Sequence, residues 1–128
     1  MSQEESSQAA GAVSVIPTLF VDDLPEAEVF YSRLGFHRDW RYPEDGTPSH
    51  LGFCFGDVTV MLALNPQPGR RVERQNLYFV VKRVDELHQR LARELGGVVT
   101  EIEDADYGMR DFSITDPWGH LLTFGAAA

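Results

Sequence analysis

The chain has 128 residues, 43% hydrophobic and 24% charged, the balance of one ordinary globular domain and too short for two comfortable cores. With 11 basic against 20 acidic side chains the formal charge is −9; such a surface repels phosphate backbones, argues against nucleic acid as a partner, and attracts cations. No apolar run approaches the roughly 20 residues that a membrane-crossing helix needs, so no membrane partner is expected, and the one cysteine, Cys54, forbids an intrachain disulfide, as in a reducing compartment.

Residues 1–12 are polar, include Glu4 and Glu5, and lack a basic region followed by an apolar stretch. They read as a flexible N-terminal arm rather than a secretion signal, which makes a cytoplasmic location the expectation. Val13 to Val21 is rich in β-branched residues and predicts a first strand. Asp23 then caps a helix with Glu26 three residues on and Pro25 in the first turn. Ala27, Phe30, Tyr31 and Leu34 form its buried stripe, and Gly35 stops it. Phe36 to Tyr42 alternates as a strand does, and Pro43 to Pro48 has turn chemistry. His50 to Phe55 and Val58 to Ala63 follow as strands joined tightly at Gly56-Asp57. Cys54, in the apolar run Leu51 to Phe55, reads as a small core residue, with no cationic neighbour in sequence to activate it.

Asn65 to Gln75 is a linker, after which the order returns. Leu77 to Val81 predicts a strand; Val84, Leu87, Leu91 and Leu95 mark a helix ended by Gly96-Gly97. Val98 to Ile102 and Met109 to Ile114 predict strands, Asp116-Pro-Trp-Gly119 a turn, and His120 to Phe124 a closing strand. This is an internal repeat: Val21-Asp-Asp-Leu-Pro-Glu26 lines up with Val81-Lys-Arg-Val-Asp-Glu86. Arg83 replaces the Asp23 cap, so the second helix must rely more on packing. The expected architecture is α+β: one domain over 13–126, with βαβββ modules at 13–64 and 76–126. Each helix covers one sheet face and leaves the other concave. Two such units, from one chain or from paired chains, would enclose a cleft.

The segments Val21-Asp-Asp-Leu24, Phe30-Tyr31, Leu34-Gly-Phe36, Gly56-Asp57-Val58 and Tyr107-Gly-Met-Arg110 leading to Asp116-Pro-Trp-Gly119 resemble the glyoxalase/bleomycin-resistance (vicinal oxygen chelate) superfamily. They are most similar to its bleomycin-resistance members. The resemblance spans about residues 14–125 and implies the fold of two concave mixed sheets. It does not by itself imply a reaction, because that fold hosts isomerases, dioxygenases, transferases and non-catalytic drug binders.

In the superfamily's enzymes, His, Gln or Glu ligands come from the first, fourth, fifth and eighth strands. The matching positions here are Ile16, Met61 (or Val60, one residue away), Asn76 and Thr123. None offers the imidazole or carboxylate that zinc, nickel or iron requires, so no metal or other cofactor is expected, and no catalytic residue is assigned. His37, His50, His88 and His120 show no ligand spacing. His50 should point into the cleft, as a polar contact or a lone base, and His88 should be solvated.

Strand alternation places Ile16, Thr18, Phe20, His50, Gly52, Cys54, Thr59, Met61, Asn76, Tyr78 and Thr123 on the concave faces, an apolar wall with sparse polar groups. Trp40, Tyr107 and Trp118 could stack on planar heterocycles or hold a cation, Trp118 equally serving to cover the core. The ligand-facing set is therefore Trp40, His50, Met61, Tyr78, Tyr107, Arg110 and Trp118. The resemblance implies a homodimer with shared clefts. The expected function is non-catalytic sequestration of a small molecule, a cationic planar antibiotic of the bleomycin type. The alternatives are a lyase or isomerase with an atypical site, and a housekeeping metabolite binder.

Overall fold

The computed structural model describes residues 10–128; the expected arm therefore falls mostly outside the described residues, and Ala10 to Ala12 are exposed and outside any helix or strand. The elements are β1 (Thr18–Val21), α1 (Leu24–Leu34), β2 (His37–Tyr42), β3 (His50–Phe55), β4 (Val58–Leu64), β5 (Asn76–Val80), α2 (Val84–Leu95), a 3-10 turn at Gly96–Val98, β6 (Glu103–Asp104), β7 (Met109–Thr115) and β8 (Leu121–Ala127). They form two four-stranded mixed sheets, ordered β1-β4-β3-β2 and β5-β8-β7-β6. In each, the edge strand preceding the helix runs parallel to its neighbour, β1 to β4 and β5 to β8, while the remaining pairs are antiparallel.

The local chemistry accounts for the first helix well. The Asp23 carboxylate accepts from the Glu26 amide at 2.9 Å, and Gly35 closes α1 at φ 106°, a left-handed conformation glycine adopts without steric cost. The second helix has Arg83 at its N-cap with no side-chain capping bond. It is held instead by Val84 and Leu91, buried in the core.

Two strands differ from expectation. The first is four residues long rather than nine: Pro17, with no N–H, meets β4 only through its carbonyl, which accepts from the Met61 amide at 2.9 Å. The segment Val98 to Ile102 is not a strand. It makes one bridge, Val99 to Ile114, beside which the Thr100 hydroxyl, not a carbonyl, accepts from the Ser113 amide at 2.8 Å. A side chain has displaced the backbone partner there, and the ladder resumes only at Glu103–Asp104.

The two modules join across their helix-covered sides into one core. Tyr31, Phe36, Phe53, Phe112 and Phe124 are fully buried within a single cluster spanning both halves. Phe36 meets Phe79 edge to face, and Phe55 meets Phe124. Polar ties cross the same seam. The Tyr31 hydroxyl donates to Asp116 Oδ2 at 2.8 Å, Arg33 pairs with Glu94, and Arg90 donates to the Leu34 carbonyl. His120, wholly buried, accepts the Gln75 amide at Nδ1 and donates from Nε2 to the Phe20 carbonyl. That pairing fixes one neutral tautomer. Burial first, and then the Asp116 charge and hydrogen bond, push the Tyr31 hydroxyl far above its ordinary pKa, so it remains a donor.

Candidate functional site

With their helix-covered faces spent on the core, both concave faces turn outward. Leu19, Val21, Leu51, Phe53, Val60 and Leu62 are buried on the helix side. This settles the fourth-strand register: Val60 lies in the core, and Met61 stands on the concave face between Thr18 and Gly52. Tyr42, Tyr78 and Val80 on these faces are 63%, 42% and 73% exposed. A single chain does not close the cleft that two opposed sheets would make. The margins of the two faces meet at a groove of about 490 Å³ lined by Ile16, Pro17, Thr59, Tyr78 and Val80.

The first face carries an aromatic platform. Pairing of β2 with β3 slips by one residue between Arg38 and Trp40. Past this bulge, Trp40 and Tyr42 lie opposite Gly52 and His50 on the concave side, while Arg38 reaches back to Glu28 of α1 at 3.3 Å. Simple alternation would have put Arg38 and Trp40 together. The indole lies flat over Gly52: a Cβ there would overlap Cε2 and Nε1 and stand 2.7 Å from Cδ1. Met61 is Gly52's partner on β4. His50 meets Tyr42 edge to face at 6.2 Å, and Ser49 Oγ lies 2.8 Å from its Nδ1. Cys54 is half-buried on this face, where strand alternation placed it, and not the core residue that its apolar neighbours suggested.

The second face is phenolic and acidic. Tyr78, Thr123 and Ser113 form one row across β5, β8 and β7, and Val80, Gly125, Asp111 and Glu103 the next. Asp111 Oδ2 accepts from the hydroxyls of both Tyr78, at 2.9 Å, and Tyr107. Gly125 leaves room for the Tyr78 hydroxyl, which a Cβ would overlap. Partial desolvation and the bond to Asp111 raise the pKa of Tyr78, and the same bond is the main cause of a rise at Tyr107.

Trp40, His50 and Met61 are thus gathered on one face, and Tyr78 with Tyr107 on the other. Arg110 is directed to the opposite side of β7, where it pairs with Asp85 of α2 at 2.9 Å and Asp104 at 3.3 Å. Trp118 is half-buried against the core beside the Asp116 turn. His88 is not solvated as expected: it packs on Phe112 at 4.9 Å and bonds the Thr100 carbonyl. Asp111, Glu103 and Gly125 were missed by sequence reasoning. The alternation Met109-Arg-Asp-Phe-Ser-Ile114 across β7 carries the signal for Asp111; nothing local marks the other two.

Of the four residues that the resemblance matches to metal ligands, Ile16, Met61, Asn76 and Thr123, the last has its Oγ1 engaged by Ser113 Oγ at 2.8 Å. A thioether, an amide and an alcohol do not make a site for a borderline divalent ion. Among the described residues no three His, Cys, Asp or Glu side chains converge.

A family model described as Glyoxalase/Bleomycin resistance protein/Dioxygenase superfamily matches residues 13–124. Among curated proteins, no sequence matches significantly. Solved structures share the fold. TioX from Micromonospora sp. ML1 is similar at TM-score 0.76 and 23% identity, over 91% of this chain and 100% of that one. A bleomycin-binding protein complexed with bleomycin gives 0.72 and 18%, over 91% and 100%. Lactoylglutathione lyase from Agrobacterium tumefaciens gives 0.68 and 21%, over 90% and 94%. At these identities the likeness establishes architecture, and it reaches binders and enzymes alike.

Proposed function

The chain belongs to the glyoxalase/bleomycin resistance protein/dioxygenase superfamily, and from that premise we propose that it holds a planar, cationic small molecule of the bleomycin type without transforming it. The observation that carries this reading is the Trp40 indole laid flat over Gly52 on an open sheet face. A ring so placed offers one side to the sheet and its other side to a flat heterocycle. The absence of suitable donors at Ile16, Met61, Asn76 and Thr123 supports binding over metal-assisted turnover. The formal charge of −9 favours a cationic ligand.

In this reading a second copy of the chain completes the cleft. Val15, Tyr42 and Val80 are large, exposed apolar side chains on or beside the outward faces, and a ligand pocket must cover most of its occupant. Titration of metal-free bleomycin against Trp40 fluorescence, in a Trp118→Phe background, tests the binding. Saturable quenching near one drug per chain is expected, and a flat trace at high drug concentration overturns the reading. An enzymatic alternative rests on His50, whose Nδ1 lies 2.8 Å from Ser49 Oγ at the start of β3. Turnover abolished by His50→Ala would replace the binder with a metal-free base catalyst.

A further inference from the structure

We propose that Tyr78, Tyr107 and Asp111 form a seat on the second module for an alkylammonium group of the ligand. The proposal deepens the binder reading, but the seat stands on its own geometry. Two ring walls meet at 68° with centroids 6.5 Å apart, and both hydroxyls converge on one oxygen of Asp111. Steeply inclined phenols around a carboxylate match a positively charged group in both charge and ring quadrupole.

Three further observations point to a cation as the missing partner. Among the described residues no Lys, Arg or His pairs with Asp111: the adjacent Arg110 is turned to the other side of the sheet and committed to Asp85 and Asp104. Glu103 stands directly opposite Asp111 across the β6–β7 ladder, and like charges so placed repel until a cation intervenes. Gly125 removes the side chain that would otherwise displace the Tyr78 hydroxyl. The walls of the seat are ring faces, and a bare metal ion is too strongly hydrated to rest on them. A soft, weakly hydrated ammonium fits the walls instead.

Benzyltrimethylammonium chloride is the probe, read through the ring resonances of Tyr78 and Tyr107 in the full chain. Saturable shifts at both tyrosines are expected. They should be lost in Asp111→Asn, which keeps an acceptor oxygen but not the charge. No shift in the wild type, or shifts that survive Asp111→Asn, overturn the seat. Bleomycin titrations separate this from the binder reading. Wild-type binding weakened about tenfold by Asp111→Asn, roughly one close charge contact, supports the seat; equal binding by both proteins overturns it and leaves the binder standing. Probe shifts without bleomycin binding leave the seat standing and remove the drug.

Discussion

Replacing Gly52 with alanine is the sharpest single test of the platform. A Cβ at that position overlaps Cε2 and Nε1 of Trp40. Those atoms belong to a rigid ring, not the end of a flexible chain, so the indole must leave the sheet. Trp40 is 37% exposed; lifting it off exposes about 50–100 Å² more apolar surface, which at about 25 cal/mol per Å² is about 1.2–2.5 kcal/mol. Gly52 itself has extended backbone inside β3, where alanine is conformationally no worse, so the cost comes from the displaced ring. Urea unfolding of Gly52→Ala should show a lower midpoint at unchanged slope. In the Trp118→Phe background the Trp40 emission should shift red, and drug quenching should weaken at least tenfold. Unchanged emission together with unchanged affinity would refute the placement of the indole on the ligand side.

Tyr31→Phe removes the hydroxyl that donates to Asp116 across the module seam and should cost about 1–3 kcal/mol, the range for depriving a buried acceptor of its partner. Because folding raises the Tyr31 pKa above 10.0, its stabilisation is complete below pH 10. It declines as the pH climbs past 10, where the unfolded chain ionises first. Denaturant midpoints between pH 9 and 11 should fall in the wild type and flatten in the variant; equal slopes would contradict the assignment. Asp85 is shifted the other way, its pKa held below 3.8 chiefly by the hydrogen bond from Arg110. Its contribution is present above pH 4 and is lost as the pH drops below, so Asp85→Asn should reduce the acid sensitivity of the unfolding midpoint. Metal analysis of the purified protein should find no transition metal near one ion per chain; a stoichiometric ion would overturn the reading of the donor set.

Much of the fold was legible because its signals are local. The Asp23 cap, the Gly35 stop and the strict alternation of Leu51, Phe53, Val60 and Leu62 each carry their meaning within a few residues. The concave face of the first module followed from that parity, including Met61. What sequence did not disclose depends on partners far along the chain. Asp116 and His120 read as turn and strand residues, yet they bond Tyr31, 85 positions away, and Phe20, 100 positions away. Arg110 follows a motif rich in ligand-like residues, but its direction is set by Asp85 on a helix. The broken ladder at Thr100 arises from a hydroxyl competing with a carbonyl, an outcome that β-propensity alone does not resolve. The outward turn of both concave faces is a property of how the modules dock, which no single segment encodes.

The slip in β2 has a consequence for how this strand tolerates changes in length. Asp39 is the surplus residue, since Arg38 faces Phe53 and Trp40 faces Gly52. Excising Asp39 would leave a regular ladder with the indole on the same side as before. Excising Arg41 instead would move Trp40 opposite Leu51 and drive the ring toward the helices. Two deletions of equal size, two positions apart, should therefore have opposite fates, the first nearly silent and the second exchanging the recognition surface for an overfilled interior.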